Sequence, residues 1–219
     1  MNFTVDILIP TYNRKKFEEL INHNINIQDY PFIKNIIIAD DGDDEKLNIN
    51  SKQFNVLYYR VSRMTIGTKR NFLLDKTVSR YAVFMDTDDF YNPEYISTSI
   101  FNLINSDKSI SGSADMNMYA KEAYYRLNCL YIHALNEATI VIDTHKTKFR
   151  FDDKQTSEGL SALQNNIKEI VETDINKIMC CISHKSNTVS KESVIQSKYQ
   201  IADLTGYEEH LKILSSINI

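Results

Sequence analysis

The chain has 219 residues, 25 Lys and Arg against 29 Asp and Glu, a formal net charge of −4 and 42% hydrophobic residues. That length and apolar content suffice for one buried core, and with 5 Gly and 3 Pro they exclude disordered, collagen-like and linker-rich chains. The acidic balance argues against a protein whose main task is coating a nucleic acid polymer, so any polyanion must meet a local positive cluster or a metal.

Four short apolar runs open the chain: Val5-Asp6-Ile7-Leu8-Ile9, Ile36-Ile37-Ile38-Ala39, Val56-Leu57-Tyr58-Tyr59 and Tyr81-Ala82-Val83-Phe84-Met85. Continuous runs of β-branched and aromatic residues predict strands buried on both faces. Between the first two, Phe17, Leu20, Ile21 and Ile25 recur at helical spacing behind an Asn13 cap. Ile66, Leu73, Leu74 and Val78 mark a second helix between the third and fourth. Strand-helix-strand alternation predicts a mostly parallel α/β sheet flanked by helices, with ligands beyond the carboxyl ends of its strands.

Further along, Asn92-Pro93 predicts a helix start through Ile96, Ile100, Leu103 and Ile104. Leu127 to His133, Ala138 to Ile142 and Ile178 to Ser183 read as strands. Leu160, Leu163, Ile167, Ile170 and Val171 predict a helix from near Thr156 or Ser157, and Tyr207, Leu211 and Leu214 a C-terminal one. The tyrosine-rich stretch from Tyr119 to Tyr131 is either a sugar-stacking platform or a packing layer. No run reaches the roughly 20 apolar residues of a membrane span. No basic region followed by an apolar stretch marks a signal peptide, so a cytoplasmic location is expected. Cys129, Cys180 and Cys181 read as buried thiols.

Chemistry-bearing loops follow the strands. Pro10-Thr11-Tyr12-Asn13-Arg14 comes after the first, Asp40-Asp41-Gly42-Asp43-Asp44 after the second, and Asp86-Thr87-Asp88-Asp89 after the fourth. Carboxylates crowded at one sheet edge either shift their pKa values upward or take up a cation, and oxygen-rich donors suit Mg²⁺ or Mn²⁺. An Asp-x-Asp spacing alone is equally compatible with a solvated acidic turn.

Four motifs, Ile9-Pro10-Thr11-Tyr12-Asn13-Arg14, Asp40-Asp41-Gly42, Gly67-Thr68-Lys69-Arg70-Asn71 and Phe84-Met85-Asp86-Thr87-Asp88-Asp89, stand in an order and spacing that resembles family-2 glycosyltransferases of the GT-A fold. A narrower likeness is to sugar-nucleotide transferases of large DNA viruses, which would place the chain in the host cytoplasm. The resemblance implies a GT-A-like sheet with a smaller acceptor-side subregion. Residues 1–95 would form the nucleotide-sugar-binding half, and 96–219 the acceptor-binding and catalytic-base half of the same domain. It implies that Thr11 lines the uridine pocket, that Asp41 with Asp40 behind it reads the uracil ring, and that Arg63 and Arg70 face base and diphosphate, with Arg60 as a substitute. Asp86 would hold ribose and, with Asp88, a Mn²⁺ or Mg²⁺ ion, backed by Asp89. His184, followed by Lys185, resembles a late histidine that contacts metal or diphosphate.

The family's base is an acid at a helix start, often as Glu-Asp. Here Thr156-Ser157-Glu158-Gly159 occupies that place, which makes Glu158 the candidate base, with Asp152 and Asp153 as fallbacks and Gly159 a departure. The implied activity is metal-dependent, inverting transfer of a hexose from a UDP-sugar, UDP-glucose or a relative, to a glycan or glycoprotein hydroxyl, within what is compatible with a larger multidomain transferase. Two competing readings are a catalytically silent nucleotide-sugar or glycan-binding module and a sugar nucleotidyltransferase. The latter is disfavoured because Pro10 to Arg14 offers no glycine-rich phosphate loop.

Overall fold

Alternating side chains of the first strand point into two different apolar clusters, and this organises the molecule. The computed structural model describes residues 3–51, 53–127, 135–185, 187, 200–201 and 208–216. In β1 (Val5–Thr11), Val5, Ile7 and Ile9 face one cluster and Leu8 the other, as the two-residue period of a strand requires. β2 (Ile33–Asp40) repeats the pattern with Ile36 and Ile38 against Ile37 and Ala39.

The helices divide accordingly. α1 (Glu18–Asn26) and α3 (Tyr95–Ser106) supply Ile21, Ile25, Ile96, Ile100 and Leu103 to the first face. α2 (Ile66–Lys76) and the short α4 (Leu160–Asn165) supply Leu73, Leu74 and Leu163 to the second. The remaining strands are β3 (Asn55–Arg60), β4 (Tyr81–Phe84), β5 (Phe90–Tyr91), β6 (Ile110–Gly112), β7 (Met116–Ala120), β8 (Ala123–Leu127), β9 (Val141–Asp143), β10 (Ile170–Glu172), β11 (Met179–Ile182) and β12 (Gln200–Ile201), followed by helix α5 (Glu208–Ser216).

Among the described residues the strands form two sheets. The larger has the order β10-β6-β9-β4-β1-β2-β3, and only β9 runs antiparallel to its neighbours. The smaller has the order β12-β8-β7-β11-β5. Strands from both halves of the chain build the larger sheet, and its central pair, β4 and β1, ends at the Asp86 and Pro10 loops. No described helix is long and apolar enough to cross a membrane.

Several expectations change. Asn13 does not cap α1. It has a left-handed φ of 52°, and its Oδ1 accepts from Asp43 N (2.7 Å) and Asp44 N (3.2 Å), clamping two strand-end loops together. β3 lies at the sheet edge and is largely exposed, because nothing beyond β2 covers it. Val78 falls beyond the end of α2 and is exposed. α3 starts at Tyr95 rather than Pro93, because the Asn92 side chain is drawn away to Asn176 O (2.6 Å).

The 138–142 stretch begins as a single 3-10 turn, Glu137–Thr139, before β9. The helix read from Leu160 to Val171 stops at Asn165, since Ile170 and Val171 pair with Ile110 and Ser111 in the sheet. Cys180 and Cys181 are buried, as expected. Cys129, Tyr131, His133 and Tyr207 lie outside the described residues. Tyr119 and Tyr124 stack at 5.0 Å against the cluster of Phe17, Leu20 and Leu214, so this part of the tyrosine stretch packs.

Candidate active site

Past the carboxyl ends of β1 and β4 opens a cavity of about 640 Å³, lined by Pro10 to Arg14, Arg63, Ile66, Arg70, Asp86 to Asp88, Glu137 and Gln155 to Glu158. Its walls come from five separated stretches, one of them the 3-10 turn that carries Glu137. β1 delivers Thr11, β4 delivers Asp86, α2 presents Arg70 one turn after its start, and the loop before α4 brings Glu158.

Two local features hold that loop against α2. Gly67 has no side chain where a Cβ would stand 1.8 Å from Asp152 O, and Gly67 N donates to Lys154 O at 3.1 Å. Ser157 turns the chain in the left-handed region (φ 53°) just ahead of Glu158.

Arg70 is the hub. It is nearly fully buried, with Nε donating to Glu158 Oε1 at 2.9 Å and Nη2 to Asp86 Oδ1 and Oδ2 at 3.1 and 3.3 Å. Burial pulls against its charge, yet Asp86, Glu158 and Glu137 together raise its pKa above the ordinary arginine value. Asp86 is pushed upward by burial first, then by Asp88 and Glu158, with Arg70 opposing. Arg70 Nη1 and Thr11 Oγ1 are buried and meet no hydrogen-bond partner among the described residues. Buried donors and hydroxyls are normally satisfied, so two such atoms on cavity-lining residues suit a polar ligand.

On the opposite wall Asp88 Oδ2 meets Arg14 Nε at 3.2 Å and His184 Nε2 at 3.0 Å. The Asn187 amide is oriented by its Oδ1, which accepts from His184 N (2.6 Å), and by its Nδ2, which donates to Ile182 O (3.2 Å). The same Asn187 Nδ2 lies 3.0 Å from His184 Nε2, so that this ring nitrogen stands between an amide and the Asp88 carboxylate. His184 and Asp88 are thus a carboxylate and an imidazole in direct contact, two side-chain types that can also serve as ligands of a divalent cation. Among the described residues no three His, Cys, Asp or Glu side chains gather as a ready cage. The Asp86 and Asp88 carboxylates and the His184 imidazole are of the chemical type that Mn²⁺ or Mg²⁺ accepts.

At the cavity mouth the Arg63 guanidinium lies 3.5 Å from the centre of the Tyr12 ring. Asp41 anchors that arginine through Oδ2 (3.2 Å), accepts from Met64 N (3.1 Å) on the same oxygen, and pairs with buried Lys69 through Oδ1. Burial lowers the Lys69 pKa, with Asp41 opposing. Asp40 accepts from Gly42 N at 2.9 Å and pairs with Tyr58 and Arg60.

Thr11, Arg63, Arg70, Asp86, Asp88 and Glu158 are thus brought to one cavity, and His184 joins through Asp88. Asp40 and Asp41 stand behind the wall, where they brace Arg60, Arg63 and Lys69. Asp89 faces away and accepts from Ile182 N at 3.0 Å. The fallback acids do not line the cavity: Asp152 binds Lys154 and Ser161, and Asp153 binds Thr65 and Thr68. Sequence reasoning missed Tyr12, Arg14, Lys69 and Glu137 as site residues. The first three sit inside the motifs, so their position was a signal; Glu137 lies in none.

The model of the family described as glycosyl transferase family 2 matches residues 6–159. The chain belongs to this family. A curated relative, the poly(ribitol-phosphate) beta-N-acetylglucosaminyltransferase TarS of Staphylococcus aureus, is 31% identical over 101 residues, 43% of this chain and 17% of that protein. The chain thus spans about a sixth of that relative's length.

The crystal structure of S. aureus TarS 1-349 in complex with UDP-GlcNAc superposes with a TM-score of 0.66 at 16% identity, covering 98% of this chain and 65% of that one. The mannosyltransferase PcManGT from Pyrobaculum calidifontis, solved with GDP-Man and Mn2+, gives 0.62 at 10% identity, covering 100% and 71%. These likenesses show the fold, a GT-A-type α/β arrangement with a central multi-stranded sheet flanked by helices.

Proposed function

We propose that the chain is a metal-dependent, inverting glycosyltransferase that moves a hexose from a UDP-sugar, UDP-glucose or a relative such as UDP-GlcNAc, to a hydroxyl of a glycan or glycoprotein. The observation that carries this reading is one cavity in which Arg14, Arg70, Asp86, Asp88 and Glu158 converge from separate segments, with Thr11 Oγ1 and Arg70 Nη1 buried and without a hydrogen-bond partner among the described residues. The first 95 residues would bind the donor and the rest the acceptor.

In this reading the uracil ring enters at Tyr12, displacing Arg63 from the ring and freeing Asp41 Oδ2 to accept from the ring N–H. Thr11 borders the uridine, and Asp86 takes the ribose. Arg70 and Arg14 turn their donors to the diphosphate. Asp88 and His184, with Asp86, would hold Mn²⁺ or Mg²⁺, which as a Lewis acid would offset the negative charge that develops on the departing diphosphate. The acceptor hydroxyl gives its proton to a carboxylate at the far end of the cavity, the sequence candidate being Glu158. Its oxygen bonds to the anomeric carbon while the bond to the diphosphate breaks and the electron pair leaves with UDP. The cytoplasmic location, membership in a larger multidomain protein and the likeness to viral enzymes rest on the sequence reading.

The test is UDP release from UDP-glucose and UDP-GlcNAc with Mn²⁺. Turnover is expected, reduced about 100-fold or more in Asp88→Ala. Undiminished turnover in that variant would sink the mechanism, and donor affinity without turnover would mark a silent binding module.

A further inference from the structure

Gly159 stands where the family places an acid, and the volume its side chain would occupy is filled. A Cβ built on Gly159 would lie 3.0 Å from Glu137 Cγ and 3.3 Å from Glu137 Oε1, with Leu163 Cδ1 next at 3.5 Å. We infer that Glu137 is the carboxylate that takes the acceptor proton, working from the space that Gly159 leaves open, while Glu158 is a positioning residue committed to Arg70. This rests on the glycosyl-transfer reading above.

The two carboxylates differ in what they already hold. Glu158 Oε1 accepts from Arg70 Nε at 2.9 Å, so its charge is engaged in fixing the guanidinium that also grips Asp86. Glu137 lines the same cavity and has no ion-pair partner among the described residues. Its Oε1 accepts from Gly159 N at 3.2 Å, which aims the group without neutralising it. The 3-10 turn Glu137–Thr139 is itself anchored, by Asn136 Oδ1 accepting from Ala138 N (3.2 Å) and by Tyr91 Oη donating to Ala138 O (3.0 Å). The charged groups facing Glu137 are Glu158, from the loop before α4, and Arg70, from α2. Burial first, then the charge of Glu158, raise the Glu137 pKa above the usual glutamate range, which strengthens it as a base near neutrality.

The proton balance is closed. The acceptor O–H loses its proton to a Glu137 oxygen, its oxygen forms the new bond to the anomeric carbon, and the diphosphate departs with the electrons of the old one.

The experiment measures UDP release from UDP-GlcNAc and UDP-glucose with Mn²⁺ and water as acceptor, across pH, for the whole chain and its variants. Glu137→Gln keeps the shape and the bond from Gly159 N; kcat is expected to fall about 100-fold or more with donor KM unmoved. In the unsubstituted chain kcat/KM should decline as pH drops through the raised Glu137 value, and this acid limb should vanish in Glu137→Gln. Glu158→Gln should raise donor KM more than it lowers kcat. Glu137→Ala combined with Gly159→Asp returns a carboxyl to the same volume, since two of the three atoms nearest a Cβ there belong to the removed Glu137 side chain, and should regain part of the kcat lost in Glu137→Ala.

Full turnover and an intact acid limb in Glu137→Gln, or a kcat collapse confined to Glu158→Gln, would overturn the assignment of Glu137 while leaving glycosyl transfer standing. Absence of UDP release from the unsubstituted chain would overturn the reading beneath it.

Discussion

Arg70 is the residue on which the charge balance of the cavity turns. A buried guanidinium shared between Asp86 and Glu158 keeps two carboxylates apart that would otherwise repel, and its remaining Nη1 is left for a ligand. Tyr12 plays the complementary part at the mouth, where its ring already carries the Arg63 guanidinium. Stacking of a nucleobase on an aromatic ring contributes about 1–3 kcal/mol, so Tyr12→Ala should raise donor KM by roughly tenfold or more with little change in kcat. Steady-state kinetics with UDP-GlcNAc check this, and an unchanged KM would remove Tyr12 from the base site.

Thr11, Asp86 and Asp88 were readable because strand-end loops are few and must face the ligand edge, whereas Tyr12, Arg14 and Lys69 lie in the same motifs without a charge pattern or spacing that singles them out. Glu137 was not readable either. It occupies a turn without a motif, and only folding sets it against Gly159, twenty-two positions away.

At the scale of elements, the strands were legible wherever a continuous apolar run coincided with double burial. Val56 to Tyr59 has the same composition but forms the sheet's edge, since composition does not say which strand lacks an outer neighbour. The spacing from Leu160 to Val171 suggested one helix, yet pairing of Ile170 and Val171 with β6 outweighs the local period, in keeping with their β-branched side chains.

Asp6 is a subtler case, a carboxylate with no exposure inside β1. It accepts from Val78 N (2.8 Å), Ser79 N (3.0 Å), Ser79 Oγ (2.7 Å) and Asn35 Nδ2 (2.7 Å), tying the turn between α2 and β4 to two strands. Asp6→Ala would leave several buried donors unsatisfied, at about 1–3 kcal/mol each. Urea denaturation should show a loss of roughly 3 kcal/mol or more. A loss within about 0.5 kcal/mol, as at an ordinary surface position, would contradict this role.

At the scale of the whole molecule, the net charge of −4 works against an anionic donor. The cavity adds four carboxylates, those of Asp86, Asp88, Glu137 and Glu158, to two arginines deep inside and a third at the mouth. A long-range field of the wrong sign leaves capture to short-range partners. Under the proposed function, stripping divalent cations with EDTA should weaken UDP-GlcNAc binding by at least about tenfold, roughly 1.4 kcal/mol, as read by calorimetry. Equal affinity with and without the chelator would mean that the arginines suffice.

The bond from Ile182 N to Asp89 Oδ1 has a mechanical meaning. β11 is stitched on one side to β7, through Cys181 beside Met118, and on the other to β5, through Cys180 beside Phe90. Asp88 and His184 sit just past the two ends of that stitch, like jaws mounted on one hinge pin. The gap between the jaws is therefore set by how β11 seats on β5 and β7, not by the cavity wall alone.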